Sequence, residues 1–187
     1  ITSIGQGNFL VTPMQVARYT GILATGKNIV PHFLHGINGE KVKFEPAGDI
    51  LTPFEKKQLP YIQKAMYEVV NHKKGTAHKY FKEAKLTLAA KTGTAQVVGI
   101  SQAEKKRIKE EDMEYRRRSH AWVTTYGPYE EPRYVVTVII EHGGHGGLAA
   151  GPLTAKIFNK LLDMGYIDKK YEITSLADIE AAQKKKN

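Results

Sequence analysis

The chain has 187 residues, 41% hydrophobic and 25% charged, which suits one packed domain and is too apolar for a disordered polymer. It carries 28 Lys and Arg against 19 Asp and Glu, a formal net charge of +9 that favours anionic partners without naming one. The absence of cysteine excludes a disulfide framework, a thiolate nucleophile and a Cys-based zinc site, and the longest apolar run, Tyr134 to Ile140, falls far short of the ~20 residues of a bilayer-crossing helix.

The chain opens on Ile1-Thr2-Ser3-Ile4, with neither an initiator Met nor a signal-like segment, so a piece of a longer polypeptide is expected. Thr12-Pro13-Met14-Gln15 is a capping box with Pro at the first helical position, and with Gly26 as the stop it predicts a helix over 13–25. Pro31, Gly36, Gly39, Pro46 and Gly48 then mark loop and ribbon, with Asn38-Gly39 as a two-residue hairpin turn. Thr52-Pro53-Phe54-Glu55 repeats the capping pattern, and Leu59, Ile62, Ala65, Met66, Val69 and Val70 recur at helical spacing. This second helix is expected to end near Asn71, with a kink or restart at Pro60.

From Leu86 the pattern becomes β-rich. Leu86 to Val98, His120 to Tyr126 and Arg133 to Glu141 read as three strands of an antiparallel meander, the last two joined across Gly127-Pro128-Tyr129 and Glu130-Glu131-Pro132. Residues 101–119 hold seven Lys or Arg and five Asp or Glu and read as a long, exposed, charged insertion in which a helix is one option. After the glycines of 143–151, Pro152 reads as the start of a helix whose Leu153, Ile157, Phe158, Leu161 and Leu162 form an apolar stripe for the sheet. The polar stretch from about Asp168 to Asn187 is expected to be loosely attached.

Several motif-like patterns fail on context. Gly21 to Lys27 has phosphate-loop spacing, but Asn28 replaces the metal-binding Ser or Thr and the segment ends a helix. Gly144-x-Gly146-x-x-Ala149 follows a strand and precedes a helix, yet no return strand completes a dinucleotide fold, so close packing is the better reading of these glycines. His142 and His145 lack a third ligand at metal-binding spacing. Arg116-Arg117-Arg118 and the terminal lysines are interleaved with acids or lack stacking aromatics, which speaks against nucleic acid.

Lys91-Thr92-Gly93-Thr94-Ala95 is different. A glycine inside a strand is costly unless something must approach the backbone closely. A strand edge bearing an ammonium, hydroxyls and free N–H groups can grip a carboxylate while its backbone pairs with an extended peptide. That is a site for a peptide's C-terminus.

Four further stretches accompany it: Ile4-Gly5-Gln6-Gly7, Thr12-Pro13-Met14-Gln15-Val16-Ala17, His120-Ala121-Trp122, and Val138-Ile139-Ile140-Glu141-His142-Gly143-Gly144. With Ala90 to Val97, their order and spacing resemble the C-terminal part of the transpeptidase domain of class B penicillin-binding proteins, the elongation type fitting best. The resemblance spans residues 1–166; the 101–119 insertion and the polar tail, 167–187, add little to it. It implies an α+β, penicillin-recognising fold, partial here: three antiparallel strands with flanking helices.

The implied reaction is attack of a serine on a D-Ala-D-Ala stem peptide, release of the terminal D-Ala and acyl transfer to an amine of a neighbouring strand, with no cofactor and no metal. In the family's pattern Lys91 attracts the substrate carboxylate and the Thr92 and Thr94 hydroxyls bond it. Gly93 admits the peptide, and the Thr94 backbone N–H is an oxyanion donor. The family's Ser-x-x-Lys is not in this chain: Ser3, Ser101, Ser119 and Ser175 are followed at the third position by Gln6, Glu104, Trp122 and Asp178. The catalytic pair is therefore expected upstream, and His142 stands where the family commonly has Asn. Implied partners are peptidoglycan stem peptides, β-lactams, the N-terminal half of the same domain, a membrane polymerase and cell-elongation scaffold proteins, with no nucleic acid. The implied location is the periplasmic face of the inner membrane, with the membrane anchor upstream. A β-lactam sensor or β-lactamase relative, and a binding or scaffold piece without chemistry, are the alternatives.

Overall fold

A computed structural model describes residues 10–44, 47–98 and 109–178. The first helix, α1, is Pro13–Thr25: the Thr12 hydroxyl accepts the Gln15 N–H at 3.2 Å, the Gln15 side chain accepts the Thr12 N–H at 2.8 Å, and Gly26 closes the helix in the left-handed region. Asn38 and Gly39, both with positive φ, turn the exposed hairpin β1 (Gly36–Ile37) and β2 (Glu40–Lys41), the backbone that an Asn-Gly turn is suited to adopt. The second capping box, Thr52 with Glu55, starts α2, Pro53–Asn71. The two bonds to Thr52 hold the Glu55 carboxyl below its ordinary range. The helix runs through Pro60 as one element, so of the two options expected there the restart does not occur.

Side-chain amides then fix α2 to its neighbours. Gln63 donates to the Leu23 and Ala24 carbonyls at 2.9 and 3.0 Å, taking two carbonyls from the end of α1, and Asn71 donates to the Leu88 carbonyl at 2.8 Å, just ahead of the sheet. The sheet is the expected antiparallel meander in the order β3 (Ala89–Ala95), β4 (His120–Gly127), β5 (Tyr134–Ile140). Its first strand is shorter than Leu86 to Val98, because Leu86 forms a bridge with Glu172 instead of joining the ladder.

Side chains alternate between the two faces. Val123, Tyr134, Val136, Val138 and Ile140 join Phe81, Leu88, Phe158 and Leu162 in the larger core cluster, while Ala89, Tyr126 and Val135 pack with Ala24 and Met66. The last helix, α3, is Gly146–Asp163. Its start lies before Pro152, which sits inside the helix, so the reading of Pro152 as the first helical residue is corrected. The reason lies in the packing: a Cβ on Gly146 would stand 2.2 Å from the Gly93 carbonyl oxygen and 2.3 Å from that of Trp122. Gly147 and Gly151 meet the ring and the Cβ of Tyr80 in the same way. The glycines thus belong to a helix pressed against the sheet, and burial of Phe158 and Leu162 outweighs the ~3 kcal/mol handicap of an interior proline.

Residues 168–178 are not loosely attached. Ile167 and Leu176 are buried, the Ile173 N–H reaches the Lys85 carbonyl at 2.8 Å, and the Ala177 N–H reaches that of Lys82 at 3.0 Å. Of the charged 101–119 stretch, residues 109–119 form two short 3-10 turns, Glu110–Asp112 and Tyr115–Arg117, in place of a helix. Residues 101–108, Ile4 to Gly7 and the terminal lysines lie outside the described residues.

One substitution tests the close approach. Gly→Ala inside a helix ordinarily gains up to ~1 kcal/mol, but at Gly146 the new methyl meets backbone oxygens that cannot rotate away. Gly146→Ala is expected to destabilise the chain by ~2–4 kcal/mol, read as a shift of the urea midpoint at constant slope.

Candidate functional site at the edge of the sheet

Among the described residues, β3 pairs on one side only, with β4, and leaves its other edge unpaired. Along it Lys91 lies opposite Thr124, Thr92 opposite Val123, Gly93 opposite Trp122, Thr94 opposite Ala121 and Ala95 opposite His120. The motif residues are therefore brought together on one edge strand, whose outward N–H and C=O groups form a row that can take another strand. Lys91 is exposed; its ammonium donates to the Thr92 carbonyl at 2.6 Å, and among the described residues it makes no ion pair. Thr92, Gly93 and Thr94 are half-buried. Period-two alternation puts Lys91, Gly93 and Ala95 on the same face as Thr124, Trp122 and His120, the face on which α1 lies, and Thr92 and Thr94 on the other; the Lys91 ammonium folds back to the Thr92 carbonyl and so stands beside the strand's edge between the two faces.

Beneath Lys91 a chain of hydroxyls crosses the fold. Thr20 Oγ1 donates to the Val16 carbonyl at 2.8 Å, and Thr124 Oγ1 lies 2.8 Å from both Thr20 Oγ1 and Thr137 Oγ1. A hydroxyl has one proton, and that of Thr20 is already used. Thr124 must therefore donate to Thr20, and Thr137 to Thr124. The order of protons is fixed from β5 through β4 to α1, and it ties the strand opposite the motif to the helix above it.

The far end of the sheet is closed by a turn. After β5, His142 adopts φ 54°, and the chain returns over the residues that lead into β4. Its N–H donates to His120 Nδ1 at 2.9 Å, its Nδ1 lies 3.2 Å from the Arg118 carbonyl, and the Gly144 N–H donates to the Ser119 carbonyl at 2.8 Å. Ser119 in turn gives its N–H and hydroxyl to the two oxygens of Glu110, at 2.8 and 2.7 Å. His142 is thus a turn residue, and no cluster of three or more potential metal ligands occurs among the described residues.

Thr20, Thr124, Thr137 and Glu110 were not singled out by sequence reasoning, and His120, quoted there within a motif, was given no role of its own. The meander held part of the signal: pairing Ala121 with Ile140 carries the residues after β5 past the start of β4 and brings His142 to His120.

Residues 1–163 match the model of the penicillin binding protein transpeptidase domain. The chain belongs to that family. It is 38% identical over 167 residues to the peptidoglycan D,D-transpeptidase MrdA of Haemophilus influenzae, covering 86% of this chain and 25% of the relative. A solved complex of PBP2 with MreC from Helicobacter pylori superposes with a TM-score of 0.73 at 48% identity, covering 89% of this chain and 28% of that one. PBP2 of Pseudomonas aeruginosa, solved with WCK 5153, gives 0.68 at 28% identity over 91% of this chain and 34% of that one. The transpeptidase-domain chain thus spans about a quarter to a third of these relatives' lengths.

The hydroxyl chain yields a test. Thr124→Val keeps the shape but leaves Thr137 without its acceptor, and is expected to cost ~1–3 kcal/mol in a urea titration, most of which Thr124→Ser restores.

Proposed function

We propose that residues 1–166 are the C-terminal portion of a peptidoglycan D,D-transpeptidase domain, followed by a polar segment from 167, and that β3 is its substrate-gripping strand. The supporting observation is the unpaired edge that carries Lys91, Thr92, Gly93 and Thr94 with an ammonium free of any carboxylate among the described residues. An extended stem peptide adds to this edge through its backbone, and its terminal carboxylate meets the Lys91 charge and the Thr92 and Thr94 hydroxyls. The Thr94 N–H serves as an oxyanion donor, a contribution of ~3–4 kcal/mol in acyl transfer. The nucleophilic serine and its lysine base lie in the upstream half. β-Lactams, which carry a carboxylate at the corresponding place, use the same strand.

Kinship supports the wider assignment. Curated relatives are D,D-transpeptidases, and the Helicobacter pylori PBP2 was solved with MreC, so a scaffold protein of that kind, together with a membrane polymerase, is the proposed partner set. The proposed location is the periplasmic face of the inner membrane, with the membrane anchor outside these residues; no helix among the described residues is long and apolar enough to cross a bilayer. Large apolar side chains left open on the α1–α2 side, Phe33 at 94% exposure and Tyr61 at 73%, fit a chain that the rest of its domain covers.

The role of Lys91 is tested in the parent protein by a cycle of acylation rates. Lys91→Ala is expected to slow acylation by a carboxylated β-lactam about tenfold to a hundredfold, the value of one bond to a charged group. Removing the ligand's carboxylate should then have little further effect, because both changes delete one interaction. Full additivity would reject Lys91 as the carboxylate's partner. The 187-residue chain by itself should take no covalent penicillin label, since no serine in it has a lysine three positions on.

A further inference from the structure

The turn that follows β5 contains two imidazoles whose protons are assigned by their partners. A carbonyl oxygen only accepts, so His142, bonded to the Arg118 carbonyl, carries its proton on Nδ1. A backbone N–H only donates, so His120 Nδ1, which receives the His142 N–H, is bare and its proton sits on Nε2. The consequence is that the bond stands only while position 120 offers an acceptor at that place.

That bond holds more than a turn. His142 sits at φ 54°, a backbone region disfavoured for a residue with a Cβ, and its N–H has no other acceptor in the turn. Four residues later the chain reaches Gly146, which lies against the carbonyls of Gly93 and Trp122 in the middle of the sheet. His120 itself is the register partner of Ala95, at the end of the gripping strand. The imidazole therefore ties the start of β4, whose backbone pairs with the end of β3, to the turn that leads into α3.

We infer that His120 is a positioning residue for the β3 grip, holding it in place through the bond that its bare Nδ1 accepts from the turn. The inference rests on the substrate-gripping role proposed for β3. The titratable and charged groups around the pair are Tyr115, whose ring lies 5.1 Å from that of His142; Glu110, bonded to Ser119; Arg118, whose guanidinium donates to the Glu111 and Met113 carbonyls; Glu141 and His145 in the turn; and Lys91 on β3. None of them occupies His120 Nδ1, which the His142 N–H fills.

Two measurements test this. In the 187-residue chain, imidazole ¹⁵N shifts at neutral pH should show His120 as the Nε2–H tautomer and His142 as the Nδ1–H tautomer; a proton on His120 Nδ1 would overturn the inference. In the parent protein, acylation by a fluorescent penicillin is measured at neutral pH for the wild type, His120→Asn and His120→Ala. Asn offers an oxygen where Nδ1 stood, so it should acylate within about twofold of the wild type, with His120→Ala about threefold to tenfold slower. An Asn variant as slow as Ala, or an Ala variant as fast as the wild type, rejects the positioning role. A parent that takes no label defeats the functional reading of β3, and the role of His120 with it, while the tautomer spectrum still decides whether the bond exists.

Discussion

The first turn of α3 touches the middle of the sheet backbone to backbone, at a distance that admits no side chain. Gly146 stacks on the Gly93 and Trp122 carbonyls, Gly147 and Gly151 take the Tyr80 side chain, and Phe158 and Leu162 bury behind them. This approach sets the position of the helix and fixes the two strands that carry the candidate site. It also explains why the helix begins six residues before a proline that a sequence reading takes as its start. The position of the N-terminus is decided by what it rests on.

On the opposite face the constraint is made of hydrogen bonds. Thr137, Thr124 and Thr20 pass one proton order from strand to strand to helix, so β4 is held from below by packing and from above by a directed chain. Strand β3 has a different balance. It receives support from β4 and from Gly146, yet its outer edge has no partner among the described residues. Natural sheets normally cover or charge such edges, and here the charge is Lys91, set where an anionic ligand would reach it. A rigid sheet behind an open edge is what binding by strand addition requires.

Much of this fold was legible because its signals are local. Thr12 with Gln15 and Thr52 with Glu55 start their helices as capping boxes whose partners are three residues away, and Asn38-Gly39 turns its hairpin for the same short-range reason. The motif at Lys91 was also local, and the meander placed it on a strand. What the sequence did not disclose depends on long-range contact. Thr20 and Thr124 meet across 104 positions, and His120 and His142 across 22, so neither pair leaves a periodic trace. The segment after Asp168 is polar enough to read as loose, but Ile167 and Leu176 dock and two backbone bonds seal it to residues 82 and 85. A few well-placed contacts outweighed the composition.

The central claim, that the open edge of β3 receives an extended ligand by its carboxylate, is tested most directly by a crystal structure of the parent protein acylated with a penicillin. The account predicts the ligand's carboxylate within ~3 Å of the Thr92 or Thr94 hydroxyl and beside the Lys91 ammonium, with the ligand backbone paired to β3. A carboxylate turned to solvent, with the β3 edge left unpaired, would contradict it.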